Sequence, residues 1–401
     1  MGHSVRMPVT PMLGTSMFFS GITYAATAPY ASLVGVDALG MAPSVFATVM
    51  AIGSLIGLIS AVGLGLLSDR IKDRRWLVIL TAFAGMTGHA LIFWGQSPLT
   101  FIIATAVIMP LGLGCFSQCL GFMRVYFVHH RPDRADFIMT IMRMMFTLAW
   151  VIVPPLVGWI ASAYNVFLVY LLSSLSYLAI GAIFLALLRN RDTAVQSPRI
   201  ERAEGASLLS TFAIERPKVF GLCSIVLMWT GARTASYIVP LFIVKELDGT
   251  LANAGIYSGI NAAIEAPTMF AIAWLTTKVS KETLLAIAGL CLAVFLASVS
   301  LAPSILVIYC LLVINAVGVA LIQTQNIAYA QDAIKGRVGL STSLIDLMGI
   351  ATNLLSAAAF AVLMGLNDYR LAIACAAGFS LIGALSMAGS NFKRLGRLRS
   401  A

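Results

Sequence analysis

Residues 42–67 and 76–123 carry no charged side chain, and the turn between them crowds Asp69, Arg70, Lys72, Asp73, Arg74 and Arg75 together. This alternation constrains the fold more than any other feature. A run of about 20 apolar residues spans a hydrocarbon core. Lipid offers no hydrogen bonds, so such a run must satisfy its own backbone as a helix. A charged turn between two such helices belongs at a membrane surface, and its basic excess marks the cytoplasmic side.

The pattern recurs along the chain. Hydrophobic residues reach 60% and charged residues 10%, against about 25% charged in a soluble domain. The uncharged runs read as twelve spans: 12–34, 42–67, 76–95, 99–128, 137–161 and 165–188, then 219–244, 253–277, 283–301, 304–330, 338–365 and 369–391. Several exceed the minimum length, which implies tilted or protruding helices. With both termini inside, 21 of the 26 Lys and Arg fall on the cytoplasmic side, and only Lys245 and Arg370 fall outside. Arg124, Arg143 and Arg233 lie within spans. The net charge of +10 is thus a topology signal, not a nucleic-acid footprint. No cleavable signal peptide is evident in the first twenty residues, so the first span is expected to remain as an anchor.

A polar stretch of about thirty residues, Arg189 to Lys218, divides the chain. The expected organisation is a six-helix bundle at 1–188, a cytoplasmic linker at 189–218, and a second bundle with a basic tail at 219–401. The halves look like weak repeats. An offset of 208 lays Gly53–Arg70 over Asn261–Lys278, and the Arg134 turn resembles the Arg337 turn. Repeats of this kind suggest two pseudo-symmetric bundles sharing a site. Gly53, Gly57, Ala61 and Gly65 recur every fourth residue, a smooth ridge suited to close helix packing.

Charge inside a span costs about 2.5–3.5 kcal/mol on insertion scales, so the residues that carry it have partners or line a cavity. The candidates are Arg143, Arg233, Glu265 and Asp346. Glu265 sits twelve residues from either end of its expected span, and Arg233 is similarly central. They could form an ion pair. Alternatively Glu265 binds and releases a proton, poised between burial, which opposes its charge, and a neighbouring Arg, which favours it. Asp346 is the second proton-coupling candidate. Pro267 lacks an N–H and is expected to kink its helix beside Glu265. Cys115 and Cys119 are one turn apart, but no third ligand has suitable spacing. They and His89 read as packing residues. No metal and no cofactor are expected.

The turn Gly65, Leu67, Ser68, Asp69, Arg70, Arg74 and Arg75 resembles the motif between the second and third helices of major facilitator transporters, with Lys72 where the motif has a second Gly. A narrower resemblance, to bacterial sugar efflux transporters, rests on Arg143-Met144-Met145-Phe146-Thr147-Leu148-Ala149-Trp150-Val151-Ile152-Val153-Pro154-Pro155 and Ala262-Ala263-Ile264-Glu265-Ala266-Pro267, with support from Gln331-Asp332 and Gly336-Arg337. The resemblance implies an all-α integral membrane protein, twelve helices in the major facilitator fold. It also implies a conformational latch at Gly65, Asp69, Arg70, Arg74 and Arg75, and proton-coupled export of sugars or glycosides by alternating access. Sugars need flat faces and two-way hydrogen bonding. Trp150 supplies the first; Gln118, Asn261, Gln323, Gln325 and Asn326 supply the second, with Arg143 and Arg233 completing the expected binding set. The partners are then a small-molecule sugar or glycoside, protons and the lipid bilayer, with no nucleic acid, in a monomer of the bacterial inner membrane. A multidrug proton antiporter of the same fold is the competing reading, since 18 Met could build an adaptable pocket. An intramembrane enzyme has no catalytic constellation to support it.

Overall fold

The computed structural model describes residues 8–68, 71, 73–194, 216–275, 279–333 and 338–399. Among the described residues there is helix and no strand. The helices are α1 (Val9–Ala25), α2 (Pro43–Ser68), α3 (Arg75–Gly95), α4 (Pro98–His130), α5 (Ala135–Ala163) and α6 (Leu168–Leu188), then α7 (Arg216–Lys245), α8 (Leu251–Leu275), α9 (Lys281–Ser300), α10 (Ile305–Ala333), α11 (Val338–Met364) and α12 (Tyr369–Arg399). Among the described residues ten helical segments are long and apolar enough to cross a membrane. The other two helices are α1 and α8. The chain is a multi-pass membrane protein.

The first expected span is not one helix. The α-helix stops at Ala25 and continues as a 3-10 turn, Ala28–Tyr30, and a wider π turn, Leu33–Ala38. Pro29 explains the break, since it has no N–H to give to the preceding turn. Elsewhere local chemistry ends helices where the sequence suggests. Gln96 takes φ +41° after α3, and Ser97 Oγ accepts the Thr100 N–H at 3.3 Å, so α3 and α4 reverse direction within three residues.

The chain divides into two compact units: residues 1–40 with 52–200, and residues 41–51 with 201–401. In the first, α3 packs on α4 and α6, and α1 on α5 and α6. In the second, α9 packs on α10 and α12, and α7 on α11 and α12. Adding six to each helix number converts one set of neighbours into the other. Each unit has its own core, with Val78, Cys119, Phe122, Met142, Tyr177 and Phe184 buried in the first, and Met228, Leu285, Leu292, Leu321 and Met387 in the second. The start of α2 belongs to the second unit, where Phe46 is fully buried against Tyr237 and Phe360, ring centroids 5.8 and 5.4 Å away.

The glycine ridge of α2 is used at one end. A Cβ on Gly53 would stand 2.7 Å from the Thr105 carbonyl oxygen of α4, so only glycine permits that approach. At Gly57 the nearest α4 atom, Pro110 Cβ, is 3.9 Å from the same point, and at Gly65 nothing lies within 4 Å. His89 is buried, its Nδ1 2.7 Å from the Gly85 carbonyl, between the rings of Tyr170 and Tyr177. On α3 the exposed Trp76 and Trp94 lie five helical turns apart on one face, about 27 Å along the axis. That matches a hydrocarbon core of about 30 Å with an aromatic ring at each interface.

Beside Trp76, Arg75 is 4% exposed. Its Nε and Nη2 hold Asp73 at 2.8 and 2.6 Å, while Nη1 donates to the carbonyls of Leu187 (2.7 Å) and Asn190 (3.1 Å) and to Thr193 Oγ1 (2.6 Å). The cation adds to carbonyls at the end of α6 that also accept the Asn190 and Thr193 N–H groups and the Thr193 hydroxyl, and the negative end of the helix favours it. This charge therefore closes the first unit at the start of the linker. Burial pushes the Asp73 carboxyl up, but the hydrogen bonds and charge of Arg75 outweigh it and hold it below the usual range. A carboxyl held low contributes stability in full above its unfolded value and loses it as pH falls through the folded one. Arg75→Ala should destabilise the solubilised protein by about 1.5–3 kcal/mol, because Asp73 loses its charged partner and keeps only the backbone N–H of residue 75. Arg75→Lys should recover only part, since an ammonium cannot reproduce the fork. Thermal unfolding at neutral pH checks both, and the Arg75→Ala deficit should shrink below about pH 4.

Candidate functional site

Helix α8 places Asn253, Tyr257, Asn261 and Glu265 at four-residue intervals, hence on one face. That face packs against α10, which carries Tyr309, Asn315 and Gln323. The result is a polar seam between the two helices. Near the start of α8, Asn253 Nδ2 donates to the Tyr309 hydroxyl at 3.1 Å, and that hydroxyl donates to the Asn253 carbonyl at 3.1 Å. Deeper in, Asn315 Nδ2 donates to Asn261 Oδ1 at 2.8 Å. Asn261 Nδ2 in turn donates to Glu265 Oε2 at 3.4 Å, and Gln323 Nε2 donates to Glu265 Oε1 at 2.7 Å.

Glu265 is half-buried near the middle of α8, and Gln323 beside it is exposed. Each carboxylate oxygen has one amide donor. Among the described residues Glu265 forms no ion pair. The pairing with Arg233, one of the two alternatives the sequence left open, is not found among the described residues. Arg233 is exposed on α7, its guanidinium 5.5 Å from the Tyr237 ring centroid, one turn along its own helix. A local cation–π contact has replaced a long-range ion pair. Pro267 lies within α8, which runs on past it to Leu275. Having no N–H, it leaves the Ala263 carbonyl without its usual helical donor, and Thr268 Oγ1 donates to the Ile264 carbonyl at 2.7 Å.

The other expected site residues are not in the seam. Gln325 is buried, on the side of α10 opposite Gln323, and its Nε2 reaches Thr324 Oγ1 at 3.4 Å. Asn326 is half-buried with its Oδ1 enclosed and without a hydrogen bond. Asp346 is exposed on α11. In the first unit, Gln118 is half-buried on α4, Arg143 is exposed on α5, and Trp150 is half-buried two turns after Arg143 on the same face. Pro154 and Pro155 follow within α5, and the Tyr30 hydroxyl donates to the Pro154 carbonyl at 2.7 Å. Of the latch residues, Asp69 and Arg70 lie outside the described residues. Gly65 faces open space, and Arg75 closes the first unit as above. Arg74 rests on α4, where a Cβ on Gly121 would stand 3.0 Å from its Nη1.

The repeat sharpens what is special about Glu265. The 208-residue offset that lays Gly53 on Asn261 also lays Gly57 on Glu265. Where α2 meets α4 through glycine and backbone, α8 meets α10 through amides and a carboxylate. Asn315 and Tyr309 were not among the expected site residues. Asn315 precedes Gln323 by eight residues, close to two turns and a little over, a spacing that hints at a shared face. Gln323→Leu should leave one half-buried carboxylate oxygen without its amide donor and destabilise the protein by about 0.5–1.5 kcal/mol. Arg233→Met should cost clearly less, because no buried carboxylate depends on it. Paired thermal unfolding curves in detergent check the difference.

A family model for the Major Facilitator Superfamily matches residues 13–357. Sugar efflux transporter B of Salmonella typhimurium is 26% identical over 339 residues, covering 82% of this chain and 81% of that protein. Sugar efflux transporter C of Escherichia coli is 26% identical over 342 residues, with 82% of each chain covered. Among solved structures, a peptide transporter POT in complex with sulfate superposes with a TM-score of 0.78 at 15% identity, covering 99% of this chain and 97% of that one. The nucleoside transporter NupG gives 0.77 at 11%, covering 96% and 99%. These likenesses show the shared fold. With the family model covering most of its length, the chain belongs to the Major Facilitator Superfamily.

Proposed function

We propose that this transporter exports sugars or glycosides in exchange for protons by alternating access, with Glu265 as the proton-carrying group. The observation that carries this reading is the seam itself, a mid-helix carboxylate held by two amides and, among the described residues, by no cation. Such a group can change charge without breaking an ion pair, which coupling requires. Amides beside it present donors and acceptors to hydroxyls, and Gln323 is exposed to do so. Sugar as the substrate class is supported by the relatives named as sugar efflux transporters. Arg143, Trp150 and Gln118 in the first unit, with Arg233, Asn261, Gln325 and Asn326 in the second, complete the proposed binding set, and Asp346 is a second proton group. Gly65, Asp69, Arg70, Arg74 and Arg75 form the proposed latch.

A second reading, a proton antiporter of drugs or amphipathic cations, draws on the same observation, because an unpaired carboxylate also suits a cationic substrate. The proposed setting is a bacterial inner membrane, with twelve spans in two six-helix bundles around the 189–218 linker, both termini cytoplasmic, working as a monomer.

In proteoliposomes, Glu265→Gln should abolish uptake driven by a pH gradient while leaving exchange of labelled for unlabelled sugar. Retention of both activities would remove Glu265 from the coupling role. Inhibition by lipophilic cations but not by sugars would favour the second reading. A green fluorescent protein fused after Ala401 should fluoresce, and alkaline phosphatase fused after Asp248 should be active, as cytoplasmic termini and an external α7–α8 turn demand.

A further inference from the structure

Asn261 has a choice that its neighbours must make for it. Its side chain presents an oxygen on one arm and an NH2 on the other, and the seam offers Asn315 to the first and Glu265 to the second. An ionised carboxylate can only accept, so it needs the NH2 arm. Turned over, Asn261 would set its Oδ1 against Glu265, an arrangement only a protonated carboxyl can use, by donating its own hydrogen. The two orientations of one amide therefore favour opposite charge states of the carboxyl.

We propose that Asn315 is a positioning residue for Glu265: by donating Nδ2–H to Asn261 Oδ1, it keeps the NH2 of Asn261 turned to the carboxylate. Asn315 does not itself touch Glu265. It acts through Asn261, whereas Gln323 acts directly at 2.7 Å. The proposal rests on the reading of Glu265 as the proton-carrying group.

Several of the titratable groups on the neighbouring helices have partners of their own. Helix α8 packs on α10 and, more lightly, on α7. On α10 the titratable groups are Tyr309, bound to Asn253; Cys310; Tyr329, under the Lys218 ammonium; and Asp332, 2.7 Å from Lys281. On α7, among residues whose side chains are described, they are Lys218, 3.6 Å from Glu282; Cys223; Arg233, against Tyr237; Tyr237 itself; and Lys245 at the far end; Arg216, the first residue of α7, lies outside that set. On α8 itself there is Tyr257. None of these forms an ion pair or a hydrogen bond with Glu265.

The test is infrared difference spectroscopy of the full chain in mixed phosphatidylcholine and phosphatidylglycerol vesicles, titrated with pH. The band followed is the carboxyl band absent from Glu265→Gln. It needs no substrate, so the positioning role is separable from the identity of the cargo. Losing a donor that favours the ionised form should displace the midpoint of Asn315→Leu by about one pH unit toward alkaline, relative to the native chain. Asn315→Asp keeps the shape, but its carboxylate can only accept and adds like charge, so it should move the midpoint the same way and at least as far. Tyr309→Phe loosens the same seam near its end without touching Asn261, and should leave the midpoint within about 0.3 unit. Midpoints unchanged in both Asn315 variants, or moved equally by Tyr309→Phe, would overturn the positioning role while leaving Glu265 its own. A native chain with no such titrating band would overturn both.

Discussion

Hydrocarbon offers no hydrogen bonds, and the polar arrangement of this transporter follows from that restriction. Several charges at helix ends have definite partners. Arg75 gathers the end of α6, Lys281 meets Asp332, and Arg370 reaches Glu246 at 2.5 Å together with the carbonyls of Ser300 and Ala302. Arg75 and Arg370 solve one problem at two places. Each stands at the start of a helix and supplies donors to carbonyls at the end of the antiparallel helix it packs on. The few polar groups left in mid-helix are then conspicuous.

Two copies of one packing plan use different chemistry at equivalent positions. The neighbours within the first unit are repeated in the second, so the plan is shared. Along α2 the ridge residue Gly53 brings backbone against backbone, a contact with no titratable group in it. Along α8 the equivalent positions hold Asn261 and Glu265, and the helices meet through hydrogen bonds. A packed glycine contact has one state. A carboxylate between amides has two, charged and neutral, and an amide's orientation favours one or the other. The asymmetry between the repeats locates the proposed chemistry in the second unit without requiring a different fold there.

Much of the architecture was legible in the sequence because apolar length and charge placement are read one residue at a time. The uncharged runs, the basic turns and the kinship of Asn261 with Glu265, one turn apart, needed no tertiary knowledge. What escaped depends on partners distant in sequence or on backbone groups, which have no letter of their own. Arg75 reads as one more basic residue of a motif, yet its partners are carbonyls at the end of α6. Arg233 and Glu265 look like natural ion-pair partners by depth, but depth says nothing about direction, and Tyr237 was four residues away on the same helix. Asn315 drew no attention because a single amide in an apolar run has many ordinary uses. Its role becomes visible only once α8 lies beside α10. The break after Ala25 was signalled by Pro29, but the long apolar run around it read as a single helix.

The central claim is that sugar movement and proton movement are joined at one carboxylate. Its most direct test is to load proteoliposomes of the native protein with a pH-sensitive dye and impose a lactose gradient with no initial pH difference. The account predicts a proton flux opposite to the sugar flux, read as a pH change that a protonophore collapses and that protein-free vesicles do not show. Vigorous lactose exchange with no accompanying pH change would contradict it.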